Sequence, residues 1–222
     1  MIYTEFFELP SYDKSEILRY SGAKKYDSSL EGIVDECINE CSGKFKARVC
    51  YAEFPIKIEN NAIDLSFAKV TSTALAKNLS GCERVVVFAA TVGIEIDRII
   101  KKYSRLDLSK AVFMQAIGAE RIEALCDAFC NKLKDEQSKK GMFLRPRFSA
   151  GYGDLSIELQ KDIICALDCS RRIGITLNES LLMSPSKSVT AIVGIANKKH
   201  CSSEFGCVNC NNKECSFRKE KQ

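Results

Sequence analysis

Residues 84–90, Arg-Val-Val-Val-Phe-Ala-Ala, form an apolar run with no polar interruption after its first residue. A strand with one wet face alternates apolar and polar side chains, so an unbroken run marks a strand buried on both faces. Such a strand needs cover on either side. A second strand is expected over 187–195, where Val189, Ala191, Val193 and Ile195 share one side. The region 45–58 alternates around Pro55 and reads as one bent strand or two short ones. Helical spacing accounts for most of the rest. It covers 13–20, ending near Gly22; 28–41, with Val34, Cys37 and Cys41 on one stripe; and 64–79. It continues after Thr91, a candidate cap for Ile94, Ile96, Ile99 and Ile100, then over 109–134 and over 156–171, closed near Gly174. The stretch 144–153 is irregular. The expected fold is α+β: a central twisted, largely antiparallel β-sheet flanked by helices, with a short Cys-rich C-terminal tail. Residues 1–198 would form the α+β domain and 199–222 the tail.

Composition narrows the function classes. Hydrophobic residues make up 45% and charged ones 28% of the 222, as in ordinary soluble proteins. No apolar run approaches the roughly 20 residues that span a bilayer. The first residues are acidic and lack a signal-peptide pattern, so a cytoplasmic protein is expected. The net charge of +4 is mild and the basic residues are interleaved with acids, apart from Arg218, Lys219 and Lys221 near the end. Neither nucleic acid nor membrane is expected as a partner.

Twelve cysteines in a chain without an export signal argue for free or metal-bound thiols rather than a disulfide framework. Cys37/Cys41, Cys126/Cys130 and Cys165/Cys169 are spaced i,i+4 in helix-like segments, and burial as small apolar side chains is their expected role. Cys201, Cys207, Cys210 and Cys215 differ, because their polar surroundings cannot form a core. Four thiolates suit tetrahedral zinc or an iron–sulfur cluster, though the spacing matches no common pattern and unligated thiols stay open. His200, the only histidine, could replace one ligand.

The segment 145–154, Arg-Pro-Arg-Phe-Ser-Ala-Gly-Tyr-Gly-Asp, is a loop with two arginines and two glycines just before a helix. Arginine offers a planar fork of donors to a carboxylate, and glycine lets backbone approach a ligand closely. By itself this reads first as a structural turn. Its company is more telling: Arg147-x-x-x-Gly151-Tyr152 is followed by Ile173-Gly-Ile-Thr-Leu-Asn-Glu-Ser180, then Met183-Ser-Pro185, then the strand opening Lys187-Ser-Val-Thr-Ala. This order resembles the reactivation domain of cobalamin-dependent methionine synthase, most strongly over 145–195.

The resemblance implies binding of S-adenosylmethionine and presentation of its methyl group to cob(II)alamin, with an electron supplied by flavodoxin or ferredoxin. Carried over by position, Arg147 would pair with the methionine carboxylate. Backbone of Ser149 and Gly151 would contact the ligand, Tyr152 would pack beside it, and Glu179 would bound or brace the pocket. That pocket is expected where the loop around Tyr152 meets the final strand. The loop reads Arg-Phe-Ser-Ala-Gly-Tyr where fused enzymes carry Arg-Pro-Ala-Pro-Gly-Tyr, and Val193 stands where an aromatic contact is expected. The Asp-x-His-x-x-Gly corrinoid motif is absent. The cobalamin would therefore sit on a partner, a corrinoid-binding methionine synthase lacking its own activation domain, and the chain would act in trans. Two other classes stay open: a non-catalytic adaptor or electron-transfer protein that docks on a corrinoid protein through a Cys-ligated metal centre, and a zinc-stabilised interaction domain.

Overall fold

The structure is a computed structural model and describes residues 1–23 and 28–198. In chain order its first half holds β1 (Tyr3–Phe6), α1 (Lys14–Ser21), α2 (Ser28–Cys41), β2 (Arg48–Pro55), β3 (Lys57–Glu59), β4 (Ala62–Asp64), β5 (Lys69–Thr71) and α3 (Thr73–Asn78). The second half holds β6 (Cys82–Thr91), α4 (Glu95–Leu106), α5 (Leu108–Ser138), β7 (Phe143–Leu144), α6 (Leu159–Ala166), α7 (Cys169–Ile173), β8 (Thr176–Leu177), β9 (Met183–Ser184) and β10 (Ser188–Ala196). Five strands make one antiparallel sheet in the order β1-β2-β6-β10-β7. A three-stranded sheet, β3-β4-β5, and a two-stranded one, β8-β9, complete the described set.

The apolar run lies in β6, at the centre of the large sheet, and it is buried on both faces as its composition requires. Val86, Phe88 and Ala90 enter one core, and Val85, Val87 and Ala89 the other. The first core is closed by α1, α2, α4 and α5, through residues such as Ile17, Val34, Ile96 and Met114. Phe129 of α5 meets Phe88 at 4.9 Å and Tyr51 at 5.0 Å between ring centroids, which ties the long helix to the sheet. A buried aromatic of this size contributes roughly 1.5–3 kcal/mol. The second core is closed by α3, α6, α7 and the small sheet, through Leu75, Ile163, Cys169 and Ile63. β10 alternates as its sequence predicts, with Ala191, Val193 and Ile195 in the first core, but Ile192 and Ala196 on its other side are buried too. Gly194 is fixed by packing. A Cβ there would lie 2.7 Å from Cys82 Sγ and 2.9 Å from Arg145 Cγ.

Three local expectations are corrected. The segment 64–79 is helical only in α3, because Asp64 Oδ1 accepts from Ser66 N at 2.8 Å and Ser66 takes φ +71, turning β4 into β5. A short acid bonding its own backbone competes directly with the helix. The expected helix over 156–171 is broken into α6 and α7 at Asp168, which takes φ +50. That break removes the i,i+4 relation of its two cysteines, so Cys169 is buried while Cys165 is exposed. The other two cysteine pairs pack as expected, with Cys37, Cys41 and Cys126 buried and Cys130 partly so. Thr91 ends β6 rather than capping α4: its Oγ1 accepts from Gly93 N at 3.1 Å, and α4 starts at Glu95 with no side-chain cap. Among the described residues, no helix is long and apolar enough to cross a membrane.

Candidate functional site

The loop 145–155 runs along the edge of the large sheet and is pinned at several points. Arg145 N donates to Gly194 O at 2.8 Å and its guanidinium to Ser80 O at 2.7 Å. Phe148 and Ile192 exchange two backbone hydrogen bonds, at 2.9 and 2.8 Å. Farther on, Asp154 takes hydrogen bonds from Ser72 Oγ at 2.5 Å, Thr73 N at 2.7 Å and Ala74 N at 3.2 Å. The Ser72 hydroxyl, followed by the two amides, holds this carboxyl below the usual aspartate range. Gly151 takes φ +84, a backbone angle that favours glycine, and a Cβ there would meet the end of the Ile157 side chain at 2.9 Å.

The pins alternate the side chains. Phe148 and Ala150 enter the second core, while Arg147 is directed to the opposite side, toward α5. Arg147 Nη2 donates to Glu123 at 2.5 Å and Nη1 to Asp127 at 2.7 Å, a fork across two carboxylates one helical turn apart. Burial works against the charge of Arg147, but Glu123 and Asp127 outweigh it and hold the guanidinium firmly protonated.

Arg147 lies in a cleft of about 870 Å³ between α5, α1 and the segment 8–13. That volume is within the range of small-molecule sites. Six carboxylates of the described residues line it, those of Glu8, Asp13, Glu16, Glu120, Glu123 and Asp127, together with Tyr20 and Asn131. The floor is rigid because α5 and the N-terminal segment are clamped. Arg121, 1% exposed, donates to Pro10 O at 2.6 Å, Ser11 O at 3.0 Å and Glu120 Oε2 at 2.5 Å, with its guanidinium 4.1 Å from the Tyr12 ring centre. Glu120 in turn accepts from Asp13 N at 3.2 Å, and Asp13 caps α1. Arg121 pairs with Glu120 and Arg19 with Glu16 at 2.7 Å, so part of this acidity is met within the protein, and Glu123 and Asp127 around Arg147 are the more exposed acids.

The vitamin B12 dependent methionine synthase activation domain family matches residues 71–222, more than half of the 222. The chain belongs to this family. A crystal structure of the MetH reactivation domain bound to AdoHcy shares the fold, with a TM-score of 0.64 at 12% identity. The similarity covers 93% of this chain and 82% of that one. No curated protein matches the sequence. In this activation domain the cleft is therefore composite: α5 and Arg147 fall inside the matched residues, and 8–20 falls before them.

Of the candidate ligand contacts among the described residues, Arg147 alone lines the cleft. Ser149, Gly151 and Tyr152 follow it in the same loop, where Tyr152 N donates to Ser149 O at 3.1 Å and Gly151 N to Leu155 O at 3.0 Å. Tyr152 is 71% exposed, with its ring edge-on to Phe148. Glu179 is exposed, in the turn between β8 and β9. At the expected junction between the Tyr152 loop and the last strand, Phe148 is buried and bridges Ile192, and among the described residues a cleft opens on the Arg147 side. Glu120, Glu123 and Asp127 do not stand out in the sequence, although their i, i+3, i+7 spacing puts an acidic stripe on one helix face. Cys201, Cys207, Cys210 and Cys215 lie outside the described residues. Among the described ones, no cluster of three or more His, Cys, Asp or Glu could hold a metal.

Proposed function

We propose that this activation domain binds S-adenosylmethionine in the acidic cleft and acts in trans to reactivate a cobalamin-dependent methionine synthase or a related corrinoid protein. The observation that carries the reading is Arg147, the single guanidinium that lines the cleft among six carboxylates of the described residues. The ligand's sulfonium and ammonium are cationic and its carboxylate is anionic, so the cleft matches its charge pattern. Arg147 would turn part of its fork from Glu123 and Asp127 to the ligand carboxylate, leaving those acids to face the cations. The exposed backbone around Gly151 and the ring of Tyr152 would border the open side.

When bound, S-adenosylmethionine supplies the methyl group, and the corrinoid supplies its reduced acceptor. The residues of the cleft need only hold the donor in one orientation, which replaces a rare encounter with a positioned one. A general acid or base is not required. No Asp-x-His-x-x-Gly motif occurs in the 222 residues, so the corrinoid would come from a module outside them. Flavodoxin or ferredoxin would supply the electron. Zinc or an iron–sulfur centre at Cys201, Cys207, Cys210 and Cys215 is a further part of this reading, and metal analysis after anaerobic purification decides it.

The test is reconstitution. A methionine synthase lacking its activation domain is allowed to accumulate cob(II)alamin. It is then given this protein, S-adenosylmethionine and a reductant. Disappearance of the cob(II)alamin absorption, dependent on both the protein and the methyl donor, is the expected result. Loss at the same rate without the protein would reject the proposal.

A further inference from the structure

Across the sheet from the acidic cleft, two cysteines distant in sequence meet. Cys50 on β2 and Cys169 at the start of α7 are both fully buried, and their sulfurs lie 3.6 Å apart. No disulfide joins them. We propose that Cys50 and Cys169 form a reversible disulfide on exposure to a small-molecule disulfide, making the second core of this activation domain a redox-sensitive staple. The inference does not depend on what the cleft binds.

Closure needs a modest displacement, because a disulfide brings two sulfurs to about 2 Å. The displacement falls on a short element. α7 is five residues long, entered through Asp168 at φ +50 and left through Gly174 at φ +75, and Cys169 is its first residue. The chemistry distinguishes this pair from the other buried thiols. Burial pushes the thiol pKa of Cys37 up to about 11 and that of Cys41 up to about 12. The Cys50 thiol is instead held below the usual range by the hydrogen bond from Cys169, helped by the Ala89 backbone and the Arg172 charge. Cys169 is pushed up by the same bond and by burial. Either sulfur can donate in that contact, so either thiol of the pair can react first; with Cys50 first, Cys169 resolves.

The exchange balances in two steps. The Cys50 thiolate attacks the small disulfide and releases one small thiolate, giving a mixed disulfide. Cys169, deprotonated as it reacts, then displaces the second small thiolate and forms the Cys50–Cys169 bond. Two protein thiols are oxidised and one small disulfide is reduced to two thiols. With the sulfurs already in contact, the second step is effectively intramolecular.

The experiment uses the full chain, incubated with oxidised glutathione under native conditions, alkylated, digested and mapped by mass spectrometry. A peptide pair joined through Cys50 and Cys169 is expected, reversed by a dithiol reductant and absent from Cys169→Ser. The oxidised protein should also melt several degrees higher, because the bond closes a loop of more than 100 residues. Exposed Cys165 serves as the internal control. Recovery of Cys50 and Cys169 as free thiols when Cys165 is fully modified would overturn the proposal. So would finding either of them joined to another cysteine.

Discussion

Arg121 and Arg147 both meet carboxylates of α5 at the same cleft, yet their surroundings give them different roles. Arg121 and Glu120 have side chains 2% and 5% exposed, and the Arg121 guanidinium is consumed by Glu120 and two backbone carbonyls. Arg147 is 28% exposed, with Glu123 at 42% and Asp127 at 64%. The first cluster is dry, so removing one member strands a charge without solvent. The second is wet, so water or a ligand can replace either partner at little cost. One cluster fastens the walls of the cleft and the other supplies its exchangeable contact.

Arg121→Ala is the severest way to break this comparison. It should cost about 3–5 kcal/mol, on the order of 10 °C in melting temperature, because Glu120 is left buried and the 8–13 segment loses its anchor. Thermal unfolding checks it; a loss comparable to that of a surface substitution would mean the clamp is not what holds the N-terminal segment. Arg147→Ala should change stability by no more than about 1 kcal/mol, after allowing for solvent screening of its partly exposed partners. A denaturant titration that showed a larger loss would make Arg147 structural and erase the contrast. The smallest effect concerns the anchor of the loop that carries Arg147. The Asp154 carboxyl is held below its ordinary value of 3.8, so its contribution is complete above that pH and is lost as the pH falls toward the lowered value. Asp154→Asn should flatten that acid limb while leaving stability near neutrality only slightly reduced. An unchanged acid limb would show that Asp154 does not fasten the loop.

Much of the fold was legible from residue pattern. The unalternating run in β6, the alternation of β10 and the long stripe of α5 are strong signals because each is set by burial of many side chains at once. The boundaries that escaped depend on single residues bonding their own backbone, as at Asp64, or adopting a left-handed angle, as at Asp168. The site was less legible. Arg147 stood out through its motif, but the acids facing it are spread over residues 8–16 and 120–127, and only the packing of α1 against α5 brings these together. The direction of the pocket could not be read from the sequence either. It is set by the Phe148–Ile192 bridge, which turns Phe148 inward and so sends Arg147 to the other side.

Calorimetric titration of S-adenosylmethionine into the protein and into Arg147→Ala is the most direct test of the cleft as the donor's seat. Saturable one-to-one binding by the unaltered chain is the predicted result, weakened at least tenfold in the variant, or about 1.4 kcal/mol. Arg147→Lys should fall between the two, keeping the charge but losing the fork. Equal affinity in all three folded proteins, or none in the unaltered chain, would contradict the account.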